Sequence, residues 1–217
     1  MTPQREWNKV DEQAAGWLEG GIDLQRRWLS IGDGDGEVDA RVHERAVRGL
    51  ILLEAESQEP INLWFNSCGG DFYHGMGIYD VMTAMRSPIR MVVTGYACSV
   101  GSVILQAADT RIMGPHAILM IHDGMETLST DPKSFDAWSK QMAQSRAEMY
   151  GAYWKRMRAV QPDLTMKDIE ELCSHDTVYS ARQAVDAGLA DHVLGDPIGT
   201  DFARTLIHDS TPSGVVG

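Results

Sequence analysis

The feature that most constrains this chain occurs twice. A short apolar run ends in a glycine-rich turn, and helical periodicity resumes soon after it. The first instance is Ile61-Asn62-Leu63-Trp64-Phe65-Asn66 running into Ser67-Cys68-Gly69-Gly70, with helical spacing over 76–85. The second is the run 89–94, with its Val92-Val93 pair, leading into Gly95-Tyr96-Ala97-Cys98-Ser99-Val100-Gly101-Ser102 and a helix of small and aliphatic residues over 100–108. Apolar runs of this length bounded by turn formers read as buried strands. Strands alternating with helices imply an α/β layer fold with largely parallel strands. In such sheets, sites form at the carboxyl ends of the strands. Both glycine turns lie there, side by side if their strands are neighbours.

The remaining pattern agrees. A first strand over 27–31 precedes an Asp/Gly cluster, 32–36, which lacks the later acidic ligand of a calcium loop and reads as a turn. Val42, Ala46, Leu50 and Leu53 recur at helical spacing over 38–56, and Pro60 then extends the chain. Short strands are predicted over 110–113 and 117–121. A long helix follows over 132–159, with Phe135, Trp138, Met142, Met149 and Tyr153 on one side, a stripe that reads as packing. A shorter helix over 165–173 has Thr165 as cap and Asp168 three residues on. A last helix over 180–187, ended by Gly188, precedes a strand over 190–194. Residues 1–20 read as an N-terminal arm, 21–195 as one domain, and 196–217 as a flexible tail.

Composition excludes several functions. A net charge of −12 argues against nucleic acid or an anionic membrane as the main partner. The three cysteines, Cys68, Cys98 and Cys173, have no paired spacing and read as reduced thiols rather than a disulfide framework. No Cys/His spacing suits a metal, so neither metal nor cofactor is expected. The start lacks a secretion-signal pattern and no apolar run spans a bilayer, so a cytoplasmic protein without a membrane partner is expected.

Chemistry concentrates at Ser99. It sits among small residues, with Gly95 before it and Gly101 after it, a setting that admits a substrate carbonyl and lets the backbone bend. A nucleophilic serine needs a histidine to take its proton and a carboxylate to orient that histidine. His122, ending an apolar run, and Asp176, far downstream, can supply both. Each has a plainer reading: Ser99 as a helix-start packing serine, His122 as a satisfied core histidine, Asp176 as a turn cap before Ser180. Asp168 and Glu171 are nearby alternative carboxylates. His43, His74, His116, His192 and His208 read as surface or turn residues. Cys98 is a second nucleophile candidate, although its position suits a small packing residue.

Read together, four segments resemble the Clp protease proteolytic subunit, ClpP, and its wider clan with the crotonase-like fold. The family's N-S-P-G-G-x-V-x-x-G-x-x-I-Y-D-x-M appears as Asn66 through Met82, and its G-x-A-A-S-M-G-A as Gly95 through Ser102. Its M-I-H-Q-P appears as Met120-Ile121-His122-Asp123-Gly124. Its acidic segment, D-x-x-x-S-A-x-E-A-x-x-x-G-L-x-D, appears as Asp176 through Asp191. The resemblance covers about residues 22–194 in uninterrupted order. It implies an α/β fold of repeated β-β-α superhelical units with a protruding handle helix. It also implies a serine endopeptidase with a Ser99, His122, Asp176 triad and an acyl-enzyme intermediate, and this chain's departures from the family's pattern lead to the expectation that it is ATP-independent.

The resemblance further implies an oxyanion hole from the backbone N–H groups of Gly70 and Val100, a side chain at the glycine being expected to crowd the oxygen. Substrate is expected as an added strand between the 70–73 segment and the residues after Gly124, against Gly69, Asp71, Phe72, Gly124 and Met125. The implied partners are a peptide or unfolded protein, further copies in a heptameric ring or stacked rings, and an AAA+ unfoldase. Several departures stand out: Cys68 and Cys98 replace the family's proline and an alanine, His175 replaces an arginine that links rings, 123–130 replaces a glycine-rich stretch, and the N-terminal arm lacks the hydrophobic axial-loop pattern. They keep open a catalytically silent ring subunit and a phage head-maturation protease. A crotonase-like acyl-CoA enzyme shares the oxyanion geometry without needing the ordered triad.

Overall fold

In the computed structural model, which describes residues 16–17, 19–32, 36–124 and 129–197, a ten-residue strand, β6 (Ile89–Cys98), organises the sheet. Residues 89–93 pair in parallel with β4 (Ile61–Ser67), and 90–93 with β7 (Thr110–Met113) on the other side. Its last three residues pair instead with β8 (Ile118–Ile121), so the strand changes one neighbour midway. Outward from β4 lie β2 (Trp28–Ile31), parallel, and β1 (Ile22–Asp23), antiparallel. β7 carries β10 (His192–Val193) in parallel, and β8 carries β9 (Thr177–Ser180) antiparallel. The sheet is largely parallel, as the alternation of strands and helices requires.

β6 runs past the expected end at residue 94. Tyr96 N–H donates to Asn66 Oδ1 at 2.9 Å, and a Cβ on Gly95 would lie 2.5 Å from that same oxygen. Gly95 therefore makes room for the Asn66 side chain; its φ is not in the left-handed region, so it is not the bend the sequence suggested.

Helices cover one face. α1 (Ala40–Glu56) is capped by Asp39, whose carboxylate accepts from Val42 N–H, and buries Val42, Ala46, Leu50 and Leu53 as their spacing predicts. α2 (Phe72–Ala84) begins four residues before the periodic stretch, because Asp71 accepts from His74 N–H and caps it there. α3 (Val100–Gln106) is buried along its whole length. Leu63, Phe65, Met91 and Val93 meet these helices in the main core, while Trp28, Trp64, Val92 and Ile112 form a smaller cluster on the opposite face. This alternation is the strand's two-residue period at work.

α4 (Phe135–Met157) divides in two. Its buried residues begin at Ser145, while Phe135 and Trp138 are 52% and 50% exposed, so the first half stands off the body as a handle. α5 (Met166–Cys173) starts in a Thr165/Asp168 capping box and α6 (Ala181–Asp186) in a Ser180/Gln183 one. Two-residue strands β3 (Glu37–Val38) and β5 (Gly69–Gly70) form a separate ladder that the sequence does not show. The expected arm lies mostly, and the tail almost wholly, outside the described residues.

The end of α3 opposite Ser99 is clamped. Arg156, from the base of α4, donates to the Gln106 and Ala108 carbonyls at 2.6 and 2.8 Å. Arg111, nearly buried, bonds Gln106 Oε1, the Gly188 carbonyl and both oxygens of Asp191. Burial alone would raise the Asp191 carboxyl, but the hydrogen bonds and charge of Arg111 outweigh it and hold the carboxyl below its ordinary value. A depressed folded pKa contributes stability that is complete above the unfolded value, near pH 4, and lost as pH falls through the folded one. Asp191→Ala is expected to cost about 3 kcal/mol or more at neutral pH, because it strands a buried guanidinium. Urea unfolding followed across pH should also show a shallower acid loss of stability in Asp191→Asn than in the parent.

Candidate active site

The carboxyl ends of β4 and β6 bring the two glycine-rich turns together. Ser67 Oγ donates to the Gly36 carbonyl and accepts from Gly69 N–H, which fixes the first turn. Gly69 and Gly70 have φ of 110° and 137°, a region that L side chains rarely adopt. A Cβ on Gly69 would lie 2.6 Å from Ser99 Cβ and 3.1 Å from the Cys98 carbonyl. One on Gly70 would meet Val38 backbone atoms at 2.5 and 2.6 Å. Gly70 is thus held to glycine by the close crossing of β3, and Gly69 is the residue that clears the serine. The next amide, Asp71 N–H, donates to the Val38 carbonyl at 2.8 Å.

Ser99 joins β6 to α3 with φ 53° and ψ −133°. A non-glycine residue there costs on the order of 1–3 kcal/mol and persists only where its surroundings over-determine it. They do so here. Ser99 N–H donates to the Met120 carbonyl at 2.9 Å. The Ser99 carbonyl accepts from Ser102 N–H and from Ser102 Oγ, at 2.9 and 2.7 Å. Ser102 Oγ also meets the hydroxyl of fully buried Tyr153 at 2.7 Å, tying the serine to α4. Val100 opens α3, where first-turn amides have no acceptor within the helix.

His122 follows β8, and its Nδ1 lies 2.8 Å from Asp176 Oδ1. The pairing Ile121↔Thr177 between β8 and β9 sets the two residues side by side. The His122 side chain is 24% exposed and that of Asp176 69%. Asp168 is held in the capping box by Thr165, so it is not the carboxylate beside the histidine. Asp123 N–H donates to the Cys173 carbonyl, and its carboxylate accepts from the Tyr150 hydroxyl at 2.5 Å. Burial, then that bond, push the Tyr150 pKa well up, so the hydroxyl stays a donor. The segment after His122 is thereby anchored to α4 and α5. His175 contacts only its neighbours Ser174 and Thr177 among the described residues.

Ser99 and His122 open onto one cleft of about 730 Å³. Gly70, Asp71, Phe72, Val100 and Gly124 also line it, as expected from the sequence, whereas Gly69 is buried beneath Ser99. Met125 lies outside the described residues. Within the 70–73 segment Gly70 and Asp71 are extended, while Phe72 and Tyr73 open α2, so the edge open to an added strand is short. Tyr73, Asp123, Trp138, Met142 and Met149 line the cleft as well. The α4 stripe reads from the sequence as packing and, at Phe135, Trp138 and Met142, as surface for assembly; that Trp138, Met142 and Met149 also wall the cleft carries no local signal. Among the described residues no hydrogen bond joins Ser99 to His122. Such bonds are commonly long without substrate and tighten in the complex. Cys98 is buried and does not line the cleft, and burial, then Cys68 and Asp176, raise its thiol pKa, so it is not placed to attack a substrate carbonyl there.

The sequence profile of the Clp protease family matches residues 24–197. The ATP-dependent Clp protease proteolytic subunit 1 of Salinibacter ruber is 29% identical over 176 residues, covering 80% of this chain and 72% of that protein. The corresponding subunit of Deinococcus radiodurans is 29% identical over 160 residues, covering 72% and 76%. A mutant ClpP1 from Listeria monocytogenes shares the fold with a TM-score of 0.69 at 23% identity, over 81% of this chain and 95% of that one.

Gly69→Ala should lower stability by about 1–3 kcal/mol, since it adds both a clash and a disfavoured φ. Gly151→Ala, whose Cβ would meet nothing within 4 Å, should instead raise stability by up to about 1 kcal/mol through helix propensity. Paired urea titrations distinguish the two.

Proposed function

We propose that this chain, which belongs to the Clp protease family, is a serine endopeptidase in which Ser99, His122 and Asp176 form the catalytic triad. The observation that carries this reading is the 2.8 Å contact from His122 Nδ1 to Asp176, made at the cleft into which Ser99 opens. Holding Nδ1 by a carboxylate fixes the tautomer and leaves Nε2 to act on the serine. Ser99 Oγ attacks the peptide carbonyl while His122 Nε2 takes its proton. His122 then gives that proton to the leaving amine, and water repeats the sequence on the acyl-enzyme. The N–H groups of Gly70 and Val100 receive the oxyanion, each such donor being worth about 3 kcal/mol of barrier. The chemistry calls for no metal or cofactor. Asp71, Phe72, Gly124 and Met125 would flank the bound peptide.

Half-exposed Phe135 and Trp138 on the projecting half of α4 favour assembly with further copies, as a heptameric ring or stacked rings. Short peptides need no unfolding, so their cleavage would not require ATP; folded substrates would call on an AAA+ unfoldase. A catalytically silent ring subunit is the second reading, favoured by the missing Ser99–His122 hydrogen bond and by the high exposure of Asp176.

Ser99→Ala should abolish both cleavage of fluorogenic peptides and labelling by a serine-reactive phosphonate, with the native mass of the assembly unchanged. Asp176→Asn should lower kcat about 100-fold or more, solvent softening the effect relative to a buried triad aspartate. Trp138→Glu should lower the native mass toward that of one chain. Full labelling of Ser99→Ala would refute the nucleophile, and an unlabelled parent that cleaves nothing would establish the silent subunit.

A further inference from the structure

Cys68 and Cys98 are both departures from the family's motif, one in place of proline and one in place of alanine, and the fold sets them opposite each other. The last register pair between β4 and β6 is Ser67↔Ala97, in parallel. Cys98, the last residue of β6, and Cys68, the first residue beyond β4, each follow that pair by one position. Ser67 and Ala97 are buried on the helix-covered side, where Gly101 of α3 would bring a Cβ to 3.3 Å from Ser67 Cβ. Side chains alternate between faces along a strand, so Cys98 emerges on the face opposite Ala97. Neighbouring strands run about 4.8 Å apart. That lies inside the roughly 4.4–6.8 Å Cα separation that a disulfide spans. The influence of Cys68 on the Cys98 thiol agrees with this proximity. Cys68 is exposed and Cys98 is 8% exposed, so one thiol meets solvent while the other waits behind it. Cys173 is buried at the end of α5.

We propose that Cys68 and Cys98 form a reversible disulfide under peroxide, and that this bond switches off the site one residue away. Peroxide oxidises exposed Cys68 to a sulfenic acid and is itself reduced to water. The Cys98 sulfur then attacks the Cys68 sulfur; the S–S bond forms, the S–O bond breaks, and hydroxide leaves as a second water with the Cys98 proton. Two thiols lose two electrons and one peroxide gains them. Closing the bond draws the two Cβ atoms from the interstrand spacing to about 3.8 Å, a movement on the order of 1 Å. Cys98 directly precedes Ser99 and Cys68 directly precedes Gly69, whose backbone abuts Ser99. A displacement of that size at reacting atoms costs about 100-fold in rate. The loss of activity rests on the peptidase reading; the bond itself does not.

The full chain is treated with hydrogen peroxide and mapped by mass spectrometry without reduction. A Cys68–Cys98 linked peptide should appear, two hydrogens lighter than its reduced parts, and vanish with dithiothreitol. Peptidase activity should fall about 100-fold and return on reduction, while Cys68→Ser should lose both the linkage and the peroxide sensitivity. Oxidation of Cys68 to the sulfinic acid without a linked peptide would overturn the pair. A linked peptide with undiminished turnover would overturn the switch. A reduced parent that cleaves no peptide would instead count against the peptidase reading, and the mapping would still decide the bond.

Discussion

The site depends on one strained backbone residue. Ser99 sits at φ 53° because three separate elements hold it there: β8 through the Met120 carbonyl, the first turn of α3 through Ser102, and α4 through Tyr153. None of these bonds engages the serine hydroxyl. Strain of this kind survives only where the rest of the fold is firm. The firmness comes from a helix buried on every side and gripped at its far end by Arg156 and the Arg111–Asp191 pair. The outcome is a serine raised on a turn between strand and helix, lining the cleft.

β6 explains how distant residues meet. Because it exchanges β7 for β8 midway, its end lies against the strand that leads to His122. Antiparallel β9 then returns along β8 and delivers Asp176 to the same histidine. Ser99, His122 and Asp176 are thus brought to one end of the sheet by three adjoining strands, while the apolar wall comes from the projecting helix.

Much of this was legible in the residues. The buried strands, the α1 stripe of Val42, Ala46, Leu50 and Leu53, and the Thr165 and Ser180 caps all carry local signals, and all appear where expected. The lower legibility of β9 has a physical cause: Thr177–Ser180 is half exposed and stable only through pairing with β8, which no local pattern records. The same holds for β3 and β5, whose two-residue ladder depends on glycines that any turn would also use. α2 starts early because a single carboxylate, Asp71, caps it ahead of its periodic stretch. The space that Gly95 leaves for Asn66 and Gly70 for Val38 was illegible for a related cause: sequence shows that a side chain is missing, not which neighbour needs the space.

The most direct test is a crystal structure of the protein inhibited by a peptidyl phosphonate. The account predicts a covalent bond from phosphorus to Ser99 Oγ, with the phosphoryl oxygen about 2.7–3.1 Å from the N–H groups of Gly70 and Val100. It also predicts His122 Nε2 within hydrogen-bonding reach of the reacted oxygen. Phosphorus bound to any other residue, or a phosphoryl oxygen turned to solvent with His122 remote from Ser99, would contradict it.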